Sequence, residues 1–184
     1  MRTQLLALAA LSPLIAAPAP AAPPASAPPH AEGLCAANEE VLFACHAAKG
    51  LAYVCASRPF DPAASLVQYR FGRPGQIALA FPQAPAKASG VFHFSSTAYG
   101  GGGEGHLAFS NGGYDYIIYD RMIAGDWDKH GHRAHQFSSG VVVRKAGKLL
   151  SNMTCHGPDD TLRSGAYQLP AEDFDYDVIP APKG

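Results

Sequence analysis

Four cysteines constrain this chain more than any other feature: Cys35, Cys45, Cys55 and Cys155. Three crowd into one short region and the fourth stands about a hundred residues later. An even cysteine count in a chain of this size reads as a disulfide framework, provided the compartment is oxidising. The N-terminus supplies that compartment. Met1-Arg2-Thr3-Gln4 is a short positive segment, and Leu5 to Ala17 is an apolar run of 13 residues. That run is too short to cross a bilayer as a helix. Ala19-Pro20-Ala21 places small residues where a signal peptidase reads. Residues 1–21 are therefore expected to be a cleaved leader, and the mature chain periplasmic or secreted. Cys35 follows Glu32-Gly33-Leu34, which lacks the small residue that lipid attachment requires directly before the cysteine.

Residues 22–33 are rich in Ala and Pro, the composition of a flexible tether. A single β domain is expected over 34–170, with 171–184 as a C-terminal tail. That length supports one hydrophobic core. Loss of Arg2 with the leader takes one charge from 14 basic residues against 15 acidic ones. The chain has no basic run to neutralise phosphates, so nucleic acid is excluded as a partner class. No second apolar stretch reaches transmembrane length.

The pattern is β almost throughout. Val41–Cys45 and Leu51–Cys55 flank a turn at His46–Gly50. Leu66–Phe71 and Ile77–Phe81 flank Gly72-Arg73-Pro74-Gly75. Val91–Phe94 is a short strand candidate. His106–Ser110 and Tyr114–Asp120 flank Asn111-Gly112-Gly113, where Asn-Gly supplies the positive φ of a tight hairpin. Val141–Arg144 and Leu149–Cys155 flank Ala146-Gly147-Lys148. Eight or nine short strands at regular spacing predict an all-β, disulfide-stapled fold, an antiparallel sandwich or small barrel.

Geometry selects the cysteine pairing. A compact turn at 46–50 sets Phe43 opposite Tyr53, Cys45 opposite Leu51 and Cys55 opposite Val41. Cys45 and Cys55 then sit at opposite ends of the hairpin, on the order of 13 Å apart. A disulfide needs Cα atoms within about 7 Å. Cys35 can fold back onto Cys55, which leaves Cys45 for Cys155. The expected bonds are Cys35–Cys55 and Cys45–Cys155.

Three clusters are candidate sites. Asp126-Trp127-Asp128-Lys129-His130-Gly131-His132-Arg133-Ala134-His135 carries three histidines beside two carboxylates. In an extended segment His130 and His132 project to one side. With His135 they could hold Zn²⁺ or Cu²⁺. The competing reading is a solvated polar loop. Gly100–Gly105 is the second cluster. No Gly-Lys-Ser/Thr and no helix follow it, so it is no phosphate loop. It reads as a mobile loop in which Glu104 can meet a partner. The third is Tyr114-Asp115-Tyr116-Ile117-Ile118-Tyr119. Alternation puts Tyr114, Tyr116 and Ile118 on one face and Tyr119 on the other. Tyrosines bind well because they offer large area at low rotamer cost, but they are also ordinary core residues. Paired cysteines leave no free thiol for nucleophilic chemistry, and no Gly-x-Ser-x-Gly elbow exists.

Several of these stretches recur together: Val41–Cys45, Lys49–Cys55, Gln68–Gly72, Phe109–Tyr114, Gly140–Val143, Gly147-Lys148 and Cys155. In them the chain resembles a group of small exported bacterial β-proteins of unassigned function. That likeness implies a scaffold and no chemistry. More loosely, Ser110-Asn111-Gly112-Gly113-Tyr114 and the late Cys155 are similar to elements of the bacterial inhibitors of C-type lysozyme. Those are exported, disulfide-bearing antiparallel β-barrels. They follow the hairpin with a Lys-Gly element where this chain has Asp120–Gly125, so the resemblance assigns no site residue.

The expected function is a non-catalytic binding module, inhibitor-like, monomeric, recognising a protein or envelope component. Its binding surface is expected on loops 96–105 and 120–137, with Glu104, Tyr114, Tyr119 and Trp127. The alternatives are a metal-binding protein using the histidine loop, and a hydrolase whose site is invisible in one dimension.

Overall fold

A computed structural model describes residues 33–176 and 179. The expected leader, residues 22–32 of the Ala/Pro-rich segment, and the tail beyond Ile179 lie outside the described residues. Nine strands form two antiparallel sheets, each a simple meander. The first sheet holds β1 (Glu39–Ala47), β2 (Gly50–Ser57), β3 (Leu66–Arg73) and β4 (Gln76–Lys87). The second holds β5 (His93–Tyr99), β6 (Gly102–Asn111), β7 (Tyr114–Trp127), β8 (Arg133–Lys145) and β9 (Lys148–Thr154). The one helical element among the described residues is a 3₁₀ turn at Ala166–Gln168.

The inner faces meet in one core, as alternation requires of a sandwich. Leu42, Phe43, Val54, Val67 and Tyr69 of the first sheet pack on Phe94, Leu107, Phe109, Ile118 and Val141 of the second. Phe109 is its centre. It stacks on Phe81 at 4.7 Å and on Tyr116 at 4.8 Å. Offset aromatic pairs of this kind add about 0.5–1.5 kcal/mol beyond their buried area.

Both expected disulfides are present, Cys35–Cys55 and Cys45–Cys155. The register behind them needs one correction. Val41 lies opposite Cys55 as expected, but Phe43 lies opposite Val54 and Cys45 opposite Ala52. A bulge between Val41 and Phe43 shifts the pairing by one. An extra residue on one strand turns two successive side chains to the same face. Leu42 and Phe43 both enter the core, and Cys45 follows them inward. Cys55 points outward with Val41, Ala44 and Tyr53. The two cysteines of the hairpin therefore occupy opposite faces as well as opposite ends.

The chain after β9 closes the exposed edges, which would otherwise invite pairing with another molecule. Leu162 bridges Phe43 on the β1 edge, and the Arg163 amide donates to the Leu42 carbonyl at 2.8 Å. Ala171 bridges Phe94 on the β5 edge, and the Glu172 amide donates to Phe94 at 2.7 Å. The β4 edge carries Pro82 and Pro85, which cannot donate to a ladder. Among the described residues no helix is long and apolar enough to cross a membrane.

Candidate binding surfaces

The regions expected as loops 96–105 and 120–137 are mostly strand. β5 runs to Tyr99, β6 begins at Gly102, β7 reaches Trp127 and β8 begins at Arg133. Ser95 to Tyr99 and Gly102 to Gly105 show no apolar alternation, which is why they read as loop. Small residues let them pair instead. A Cβ on Gly102 would sit 2.1 Å from the Met122 carbonyl, so only glycine lets β6 and β7 approach there. β7 and β8, of 14 and 13 residues, continue past Met122, where the pairing of β7 with β6 ends, as a two-stranded overhang, the arm.

The inner face of the overhang forms one wall of an open groove of about 520 Å³, lined by Ala98, Gly103, Asp120, Met122, Phe137 and Tyr167. Phe137 is 74% exposed and Trp127 68% exposed. Arg133 braces the arm's end. Its Nε donates to the Gly125 carbonyl at 2.7 Å, and its guanidinium lies 5.5 Å from the Trp127 ring. Deeper in the groove the Asp120 carboxylate accepts from the Thr161 hydroxyl. Burial raises the Asp120 pKa, outweighing that hydrogen bond.

The histidine segment is a tight turn rather than an irregular loop. Asp128 Oδ1 accepts from the amides of His130 and His132, each at 2.8 Å. The Asp128 amide donates back to the His132 carbonyl at 2.8 Å. The His130 and His132 rings lie 6.4 Å apart, and His132 Nδ1 is 3.5 Å from Asp128 Oδ2. His135 belongs to β8, opposite Ala124. Among the described residues, the compact groups of three potential ligands are Cys35, Glu39, Cys55 and Cys45, Cys155, Asp160. Both contain disulfide sulfurs, which have no thiolate to offer. Among the described residues His130, His132 and His135 form no such compact group.

Glu104 is buried, not displayed on a mobile loop. Arg121 Nε donates to its Oε2 at 2.5 Å and Nη2 to its Oε1 at 2.9 Å. His106 Nε2 hydrogen-bonds Oε1 at 2.6 Å, and the Tyr99 hydroxyl donates to Oε2 at 2.9 Å. Burial opposes the carboxylate's charge, but hydrogen bonds from His106, Arg121 and Tyr99 hold its pKa down at about 2. Burial, with the neighbouring Glu104 charge, pushes the Tyr99 phenol up to about 12. Every oxygen of Glu104 is engaged, so the cluster holds the sheet's outer face together. Its pairing was countable from the sequence. Asn111 faces Tyr114 across the turn, so seven residues back and seven forward Glu104 faces Arg121.

The remaining predicted contacts do not converge. Tyr119 is buried, its hydroxyl donating to Asn152 Oδ1 at 3.4 Å. Tyr114 is at the far end of β7 from Trp127, with the Lys145 ammonium 4.6 Å over its ring. Of the four, only Trp127 stands at the arm. Met122 and Phe137 lie within the expected segment 120–137, though not among its named contacts, and Tyr167 lies outside it; each gains its place from cross-strand pairing or from the folded-back C-terminal chain. Compared with protein families, curated proteins and solved structures, the chain matches none.

Proposed function

We propose that the protein is an exported, non-catalytic binding module that grips a protein or cell-envelope partner, inhibitor-like, with its β7–β8 arm and the groove beneath it. One observation carries this reading: Trp127 and Phe137, two large apolar side chains, stand about 70% exposed on the paired strands of the arm, and Phe137 lines a concave surface. Isolated exposed aromatics are commonplace, but aromatics braced on strands next to a groove have the make-up of a binding hot spot. Two disulfides accord with export to an oxidising compartment. An arm of hydrogen-bonded strands suits an inhibitor because its backbone is already paired before it enters a cleft, which lowers the ordering cost.

The test uses immobilised mature protein against cell-envelope extract and against C-type lysozyme. The W127A/F137A double variant should lose a partner that the wild type and the distant Y114A variant retain. Equal capture by all three, or capture by none, overturns the reading. An added chelator that abolishes capture would transfer the contact to a metal at the Asp128-organised turn.

A further inference from the structure

The end of the sandwich opposite the arm is built differently. Four turns meet there, β1–β2, β3–β4, β6–β7 and β8–β9, because residues at or near each of them line one gap between the sheets: Lys49, Phe71, Tyr116, Val143 and Ser151. Tyr114 opens β7 at this end and Trp127 closes it at the other. Along the inner faces of the strands the pattern changes at the rim. On β3 alternation carries Tyr69, then Phe71, then Arg73; on β8 it carries Val141, then Val143, then Lys145. Apolar side chains line the gap, and cations follow them outward. Lys49, in the β1–β2 turn, also stands at the gap. Ala146 and Gly147 both take positive φ, the tight turn that sets Lys145 directly opposite Lys148.

Lys49, Arg73, Lys145 and Lys148 are all exposed, and none has an ion-pair partner among the described residues. Like charges directly opposite one another, as Lys145 and Lys148 are, destabilise a strand pair. Residues 47–50, 72–77, 110–115 and 144–149 together hold five basic side chains and one carboxylate. That carboxylate, Asp115, shares its face of β7 with Ile117 and Tyr119, away from the gap; it lies opposite Arg144 and accepts from the Ser110 hydroxyl. The whole chain carries a formal charge of −1, so the cations are segregated at this end. Beside the rim three aliphatic side chains stand exposed: Ile77, Leu149 and Leu150.

We propose that this end docks on an anionic membrane surface, with its four unpaired cations among the lipid headgroups and Ile77, Leu149 and Leu150 against the acyl boundary. Charge complementarity makes the partner anionic. Two features favour lipid over an acidic protein. Three of the four cations are lysines, which protein interfaces deplete. The cations are also spread over three turns, which suits a surface met as a field rather than as one paired group. Near such a surface each basic side chain adds roughly fivefold to affinity, and exposed apolar side chains add to it. The docking surface is independent of the arm. It holds the molecule so that the arm, at the other end of β7, points away from the bilayer.

Co-sedimentation of the mature protein with phosphatidylcholine vesicles, with and without phosphatidylglycerol, tests this. Saturable binding to the anionic vesicles alone is expected, weakening as NaCl is raised. Lys145→Gln with Lys148→Gln should lose about tenfold or more. Their removal relieves a like-charge pair, so the Tm of the free protein should hold or rise, which separates lost docking from lost folding. Arg58→Gln with Lys87→Gln removes the same charge at the other end of the first sheet, and should bind within about twofold of wild type. Leu149→Ser with Leu150→Ser should weaken binding with its salt dependence unchanged. The vesicles carry no protein, so the result is separate from whatever the arm captures. No binding to anionic vesicles, or equal binding to neutral ones, overturns the docking surface. Equal loss in the two charge variants overturns its location, and full affinity in the leucine variant overturns the apolar contact. Salt-sensitive binding to polyglutamate with none to vesicles overturns the lipid in favour of an acidic protein segment.

Discussion

The two outer faces of the sandwich are both covered, but by different means. On the first sheet Leu34 and Cys35 lie over Val41, Ala44 and Tyr53, and a disulfide to Cys55 bolts the cover down. Arg70 reinforces it, donating to the Leu34 carbonyl at 2.8 Å and bidentately to Glu39 at 2.6 and 2.7 Å. On the second sheet the cover is the chain after residue 170. Ile179 packs with Ile117, Tyr119 and Val142. Phe174 stacks 4.4 Å from the His106 ring, His93 Nδ1 hydrogen-bonds Glu172 Oε1 at 2.5 Å, and Tyr176 and Thr97 share a hydrogen bond at 3.1 Å. One cover is covalent and leaves only on reduction. The other is a set of individually weak contacts over a buried charge cluster, so its hold depends on that cluster staying intact.

The largest break in this comparison comes from Arg121→Met. It leaves the Glu104 carboxylate buried without its cation, which for a broken buried pair costs roughly 3–5 kcal/mol. Urea unfolding should register that loss. Hydrogen exchange should rise first at residues 171–176, while amides beside the Cys35–Cys55 bond keep their protection. A hydrophobic pair at both positions, Glu104→Leu with Arg121→Leu, should recover much of the loss, since no uncompensated charge remains. Equal exchange increases under both covers would show that the faces are not independent.

The reciprocal variant, Cys35→Ala with Cys55→Ala, comes next. The bond closes a loop with a sequence separation of 20. The loop-entropy relation gives about 3 kcal/mol for a loop of nearly this size. The N-terminal cover should then become a site of proteolytic nicking near residues 36–38, with residues 171–176 as protected as before. Retention of the cover without its disulfide would show that the Arg70–Glu39 pair holds it unaided.

How each cover could be read from the sequence follows the same division. Local rules placed the strands: Asn111-Gly112 fixed one hairpin, Gly72–Gly75 another, and alternation along 114–119 set Tyr116 and Ile118 on one face, which proves to be the core face, and Tyr119 on the other. The Cys35–Cys55 cover followed from the spacing of two cysteines within one hairpin. The bulge at Leu42 was invisible because a run of apolar residues fits either register. The C-terminal cover was equally hidden. Asp173 to Ile179 has no period, and its place depends on Phe174 finding His106 and Ile179 finding Ile117, contacts that arise only once the sheet exists. Most of the groove's lining lies within the expected segments 96–105 and 120–137, but these read as loops for a related reason. The groove's floor is glycine and alanine, whose lack of apolar signal imitates a loop.

Acid titration sharpens the contrast most finely, because neighbouring residues of β7 face opposite ways and lead to carboxylates of opposite behaviour. Arg121 points outward to Glu104, whose folded pKa of about 2 lies below the ordinary 4.5. Its stabilisation is complete above 4.5 and is lost as pH falls toward 2. Asp120 points inward to Thr161 with its pKa raised above 3.8 by burial. Its ionisation works against the fold, so its contribution is full below 3.8 and is lost as pH rises through the folded value. Asp120→Asn keeps an acceptor for Thr161 and removes the charge. It should stabilise the protein at pH 7 by about 1 kcal/mol or less, the scale of one net hydrogen bond. At pH 3 the gain should shrink, while the acid loss through Glu104 remains. Urea midpoints of wild type and variant at both pH values check this. A variant less stable than wild type at pH 7 would mean that the Asp120 charge supports the groove wall rather than straining it.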